Sequence, residues 1–180
     1  GLLLISTGPT EQKRLYTSTG VDWSQGSMTV EFTLMVEEVH NVFATNMLIG
    51  NGTYYITVDI GMKSFRIGNQ TSSNTFDFTQ LTTFRLVIEN IDSEDRTASL
   101  YLNNSSAPVM TVGANRFSSG TANYLQFGDG STSATGVGGV SRWEGIRWTA
   151  GAYAPIPEPS SALLTVTCLL FASLAHRYRK

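Results

Sequence analysis

The chain has 180 residues, 41% of them hydrophobic and 14% charged, with a formal net charge of −2. That balance is too apolar for a disordered chain and too poor in charge for a coiled coil, and the length suits one domain with an appendage. The charge is unevenly divided: residues 1–154 carry nine Lys or Arg against thirteen Asp or Glu, while the end of the chain holds Arg177, Arg179 and Lys180 against Glu158, so the body offers no basic footprint for nucleic acid.

Gly1 to Ile5 is too short an apolar run, with no basic residues before it, to serve as a signal peptide, so any export signal is expected upstream. Leu2 to Ile5 and Leu15 to Thr17 read as the first strands. From Met28 the apolar residues fall at every second position through Val30, Phe32, Leu34 and Val36, with Thr29, Glu31 and Thr33 between them, the mark of a half-buried strand. The same period recurs in Met47 to Ile49, Tyr54 to Ile60, Phe65 to Ile67, Phe84 to Ile88, Ala98 to Leu102, Val109 to Val112, Tyr124 to Phe127 and Trp143 to Thr149.

Turn residues separate these runs at Asn51-Gly52, Gly61 to Lys63, Asn90 to Asp95, Asn103 to Pro108 and the Gly/Ser/Thr stretch from Gly128 to Gly139. No segment before residue 160 keeps a 3.6-residue apolar period. About eleven short strands at hairpin spacing predict an all-β protein, an antiparallel β-sandwich or jelly roll, over residues 1–153.

The clearest hairpin joins Phe84–Glu89 to Thr97–Asn103 through a loop with Asp92, Glu94 and Asp95. Clustered carboxylates can hold calcium through oxygen ligands, and they are also what an ordinary solvated loop carries. No other cofactor is expected.

After Tyr153 the composition changes. Pro155, Pro157 and Pro159 alternate, which predicts an extended linker over 154–160. Ala162 to Ala175 then runs uncharged into His176, Arg177, Tyr178, Arg179 and Lys180, predicting a C-terminal apolar helix over 161–180. Fourteen helical residues span about 21 Å, short of a hydrocarbon core of about 30 Å, whereas Ser160 to Tyr178 reaches about 28 Å with the terminal cations at the headgroups. The apolar residues surround the axis rather than form a stripe, which argues against a helix packed on the sandwich. The basic end would stay on the cytoplasmic side.

Pro157-Glu158-Pro159, a short apolar helix and a terminal basic cluster, in that order, resemble the PEP-CTERM sorting signal of Gram-negative bacteria. The resemblance implies that an exosortase-type membrane transpeptidase recognises Pro157, Glu158 and Pro159. It implies a protein that is exported to the cell envelope, held in the membrane by its C-terminal helix and basic cluster, and then attached to the surface or secreted. It also implies an association with exopolysaccharide.

The body resembles the concanavalin A-like, laminin-G-like superfamily through Thr29-Val30-Glu31-Phe32, Ser99-Leu100-Tyr101-Leu102-Asn103, and Phe127-Gly128-Asp129-Gly130-Ser131 before Trp143 to Trp148. That superfamily holds lectins, adhesion modules and glycoside hydrolases, so the fold leaves function open.

Retaining glycoside hydrolysis needs two carboxylates about 5 Å apart on one face, and the sequence shows no acidic residues at alternate strand positions. Glu37 and Glu38 are adjacent and expected on opposite faces. His40, alone in the body and away from any Gly-x-Ser-x-Gly elbow, reads as a surface side chain, and Cys168 as a small apolar filler. One His and no Cys in the body cannot supply a typical zinc set.

Glycan binding asks for aromatic faces that stack on sugar rings and for polar side chains that bond hydroxyls. The candidates are Trp143, Trp148, Tyr54, Tyr55, Asn123 and Asp129, although Trp143 and Trp148, five apart on one strand, should face opposite sides and place one in the core. The Asn-x-Ser/Thr sequons at Asn51, Asn69, Asn103 and Asn104 read as chance matches in a bacterial chain. The expectation is a non-catalytic surface or matrix protein, with a glycan-binding module as the alternative and a hydrolase third.

Overall fold

A computed structural model of the chain describes residues 2–8, 11–129 and 136–153. The expected linker and C-terminal helix, with Pro157, Glu158, Pro159, Arg177, Arg179 and Lys180, lie outside the described residues. Among the described residues no helix is long and apolar enough to cross a membrane.

The described chain is an all-β sandwich of antiparallel sheets. Its strands are β1 (Leu3–Ser6), β2 (Lys13–Thr17), β3 (Met28–Val39), β4 (Thr45–Gly50), β5 (Tyr54–Ile60), β6 (Phe65–Ile67), β7 (Gln70–Thr71), β8 (Thr82–Glu89), β9 (Thr97–Leu102), β10 (Met110–Val112), β11 (Ser118–Ser119), β12 (Leu125–Asp129) and β13 (Gly139–Ala150). One sheet runs in the order β1-β13-β3-β8-β9-β10, the other β2-β12-β4-β5-β6-β7, with β11 paired to β5. The alternating apolar residues read from the sequence form the two inner faces. Met28, Val30, Phe32 and Leu34 are buried against Met47, Ile49, Ile56 and Val58. At about 1.5–3 kcal/mol for each large side chain buried, this layer is the main source of stability.

Aromatic rings stiffen the core. Phe32 stacks on Phe84 with centroids 5.1 Å apart, and Phe78, entering from a loop, meets Phe84 at the same distance.

Two β-bulges in the β3–β13 ladder, the most extensive pairing of the sandwich, correct the sequence reading. One lies where Val140 pairs with Glu38 but Ser141 pairs with Val36, leaving Glu37 unpaired. The other lies between Trp143, opposite Leu34, and Gly145, opposite Thr33, leaving Glu144 as the extra residue. Strict alternation would have put Trp143 and Trp148 on opposite faces. The extra residue restores parity, so both, with Ile146, lie on the inward side, opposite the core residues Leu34, Val30 and Phe32.

His40 is also more than a surface side chain. Its Nδ1 lies 2.7 Å from the Thr7 carbonyl oxygen and its Nε2 3.0 Å from Glu38, tying the end of β3 to the segment after β1. The bond to the Thr7 carbonyl, aided by Glu38, raises the His40 pKa against a smaller opposing effect of burial.

Candidate functional site

The outer face of the sheet that holds β4 and β5 carries polar side chains with little exposure to water. Met47, Ile49, Ile56 and Val58 turn inward, so Asn46, Leu48, Thr57 and Asp59 stand on the opposite face. Strand register aligns them in two rows across the sheet. The first runs Arg14, Gly128, Asn46, Asp59, Arg66 and Thr71, and the second Tyr16, Gln126, Leu48 and Thr57. Beyond the second row, Tyr124 lies beside Gly50, whose N–H donates to the Tyr124 carbonyl.

Asp59 is the electrostatic centre of the first row. It is 3% exposed, and Arg66 donates to its Oδ2 from Nε at 2.7 Å while holding its guanidinium 4.8 Å from the centroid of the Phe43 ring. Burial pushes the Asp59 carboxyl above its ordinary pKa, and the charge and hydrogen bonds of Arg66 with the Asn46 side chain counter this only in part. Asn46 is 8% exposed, and its side-chain oxygen, Oδ1, has no hydrogen-bond partner among the described residues. A buried acceptor left without a donor costs about 1–3 kcal/mol, so the fold keeps a group there that a ligand hydroxyl could satisfy.

The second row supplies apolar and aromatic surface. Tyr16 is 73% exposed, and its ring lies 6.0 Å from that of Tyr124 at 56°. Between them Gln126, 4% exposed, accepts a long bond of 3.4 Å from Arg14 Nη1. Gly128 is required where it stands, because its φ is +113° and an added Cβ would lie 2.5 Å from the Lys13 carbonyl oxygen.

The residues singled out in the sequence lie elsewhere, with one exception. Trp143 is 2% exposed, packs on Phe32 and Phe127, and donates its indole N–H to Ser141 at 3.0 Å, so it has no face to offer a ligand. Asp129 is fully buried and is equally removed as a contact. Trp148 is half-buried with its indole N–H on the Gly20 carbonyl, and Tyr54 is half-buried beneath the Arg96 guanidinium, 3.6 Å from its ring centroid. Asn123 is exposed near the Asn51–Gly52 turn. Tyr55 belongs to the face, opposite Gly50 and Ser118.

In the acidic hairpin Asp92 accepts from Asn51 at 2.6 Å. No group of three or more His, Cys, Asp or Glu side chains converges to hold a metal among the described residues.

The opposite sheet has a hollow of about 200 Å³ lined by Glu31, Arg85, Arg147, Trp148 and Tyr153 among others. Both of its guanidiniums are already held by one carboxylate, which leaves the group with a net positive charge. Arg85 donates to Glu31 from Nε at 2.8 Å and Nη2 at 2.6 Å, and Arg147 closes on the other carboxylate oxygen.

The sequence signal for this face was present but quiet. Asn, Asp and Gln are poor strand formers, and Asn46, Asp59 and Gln126 each sit inside an apolar run.

No protein-family model matches the sequence, and no curated protein gives a significant match. Among solved structures, the Emp47p carbohydrate recognition domain superposes with a TM-score of 0.50 at 13% identity over 84% of each chain. The Ruminococcus gnavus IT-sialidase CBM40 bound to alpha2,3 sialyllactose gives a TM-score of 0.50 at 12% identity, over 92% of this chain and 96% of its own. At such identities the likeness is one of fold, and this chain shares with both the two-sheet, all-β sandwich.

Proposed function

We propose that this chain is a non-catalytic glycan-binding module of the concanavalin A-like kind that uses the outer face formed by β2, β12, β4, β5 and β6. The carrying observation is the buried, unpartnered Oδ1 of Asn46 beside Asp59 and Arg66, with exposed tyrosine surface in the neighbouring row. Sugar hydroxyls are donors and acceptors at once, so a face with an unpartnered acceptor, a carboxylate and a guanidinium suits them, and tyrosine rings add stacking. The named solved structures with this fold are a carbohydrate recognition domain and a sialyllactose-bound module, which supports the reading. Paired-carboxylate hydrolysis is disfavoured, because the two rows contain one carboxylate, Asp59.

The sequence supplies the cellular setting. Pro157-Glu158-Pro159, the apolar run and the basic end support sorting by an exosortase-type transpeptidase and display at the bacterial surface, where exopolysaccharide is the available glycan. The test is calorimetric titration against a panel of bacterial polysaccharides and oligosaccharides. Asn46→Ala is expected to weaken binding about 10-fold, one hydrogen bond's worth, without unfolding the domain. Undiminished affinity in Asn46→Ala refutes this face as the site.

A further inference from the structure

Resting on the reading that this face binds glycans, we propose that the hollow formed by Arg14, Tyr16, Tyr124 and Gln126 is a subsite for an acidic sugar, holding its carboxylate on the Arg14 guanidinium.

Four observations carry it. First, Arg14 has no carboxylate within ion-pair distance among the described residues, whereas Arg66, Arg85, Arg142 and Arg147 are each paired, Arg96 lies over the Tyr54 ring and on the Ser93 carbonyl, and Arg116 is held by Asn69. Second, its one hydrogen bond is the 3.4 Å contact to Gln126 Oε1, a side chain fixed by burial that orients the guanidinium and leaves most of its N–H groups open. Third, Tyr16 and Arg14 are two apart on β2 and so share a face, which puts a largely exposed ring next to the guanidinium. Fourth, the hollow measures about 210 Å³, below the range of about 300–1,000 Å³ typical of drug-sized sites, and suits one sugar unit of a longer chain.

The chemistry selects the ligand class. A guanidinium presents parallel N–H donors in a fixed fork that matches the two oxygens of a carboxylate, and such charge-assisted bonds are about twice as strong as those to a neutral hydroxyl. The body as a whole is acidic, with thirteen Asp or Glu against nine Lys or Arg in residues 1–154. A polyanion is therefore not drawn in by net charge, and its recognition must come from a local fork such as this one.

The experiment uses the full 180-residue chain and matched pairs of oligosaccharides. Galacturonate, glucuronate-containing and mannuronate oligomers are each titrated as the free acid and as the methyl ester. At least one acid is expected to bind 10-fold or more tightly than its ester. Arg14→Gln should erase that preference while leaving ester affinity within twofold, and Arg14→Lys should keep part of it. An unchanged far-UV circular dichroism spectrum and urea midpoint show that the variant is folded, and an acid preference that survives in Arg14→Gln overturns the subsite.

Equal affinity for acid and ester in every pair, or an Arg14→Gln variant that weakens both forms alike, overturns the carboxylate subsite and leaves the glycan reading intact. Failure of the unaltered chain to bind any acid, ester or neutral glycan overturns both.

Discussion

Replacing Trp143 separates a core role from a ligand-binding one. The indole is 2% exposed, lies 5.5 Å from Phe32 and 5.2 Å from Phe127 by ring centroids, and bonds the fully buried Ser141. Trp143→Ala therefore opens a cavity between the sheets, costing about 3–5 kcal/mol, a figure to which the orphaned Ser141 hydroxyl contributes. Against a total stability of about 5–15 kcal/mol the variant stays folded with a thin margin. At a urea slope of about 2 kcal/mol per molar, the midpoint falls by about 2 M. Trp143→Phe keeps the ring contacts and loses the N–H bond, so it should cost about 1 kcal/mol. Both values come from urea unfolding followed by far-UV circular dichroism, with glycan affinity measured on the folded proteins in parallel. A loss under 1 kcal/mol in Trp143→Ala together with abolished binding would contradict the placement of Trp143 in the core.

Other expectations follow from the charged networks and the tail. Burial works to raise the Glu31 pKa, but the hydrogen bonds and charges of Arg85 and Arg147 outweigh it and hold the carboxyl below its ordinary value. A lowered folded-state pKa stabilises the fold above the unfolded value, and that contribution disappears as pH falls through the folded one. Glu31→Gln should thus be less stable by about 1–3 kcal/mol at pH 7, with the gap closing in acid, as thermal melts from pH 7 to 3 would show. Tyr16→Ala should leave the urea midpoint within error, because the ring is 73% exposed, and should weaken glycan binding measurably. Glu158→Ala should block C-terminal processing in the host without altering the sandwich. Intact mass of the mature protein reads this out, and normal processing of the variant would sink the sorting assignment.

The strands were legible because each buried face writes a period of two into the sequence, and runs such as Met28 to Val36 admit little else. What the period could not show was where it breaks. The bulges at Glu37 and Glu144 insert one residue each, and nothing local distinguishes Glu144 from an ordinary outward-facing acid. The candidate face was hidden for a related reason. Asn46, Asp59 and Gln126 look like the wet half of an amphipathic strand, and their burial arises only when β2, β12, β4, β5 and β6 align them across separations of up to 112 residues. Aromatic residues drew attention instead, yet large aromatics serve packing first, as Trp143 does. Tyr55, named for its ring together with Tyr54, lies on the outer face because it stands one position out of phase with Ile56 and Val58.

The account is tested most directly by amide chemical-shift mapping of the protein titrated with the tightest-binding glycan. Shifts should concentrate at Arg14, Tyr16, Asn46, Asp59 and Gln126, and in Asn46→Ala they should need about 10-fold more glycan to develop. Perturbations confined to the Asp92–Asp95 loop or to the Glu31–Arg85–Arg147 side would place the ligand on the wrong part of the sandwich and contradict it.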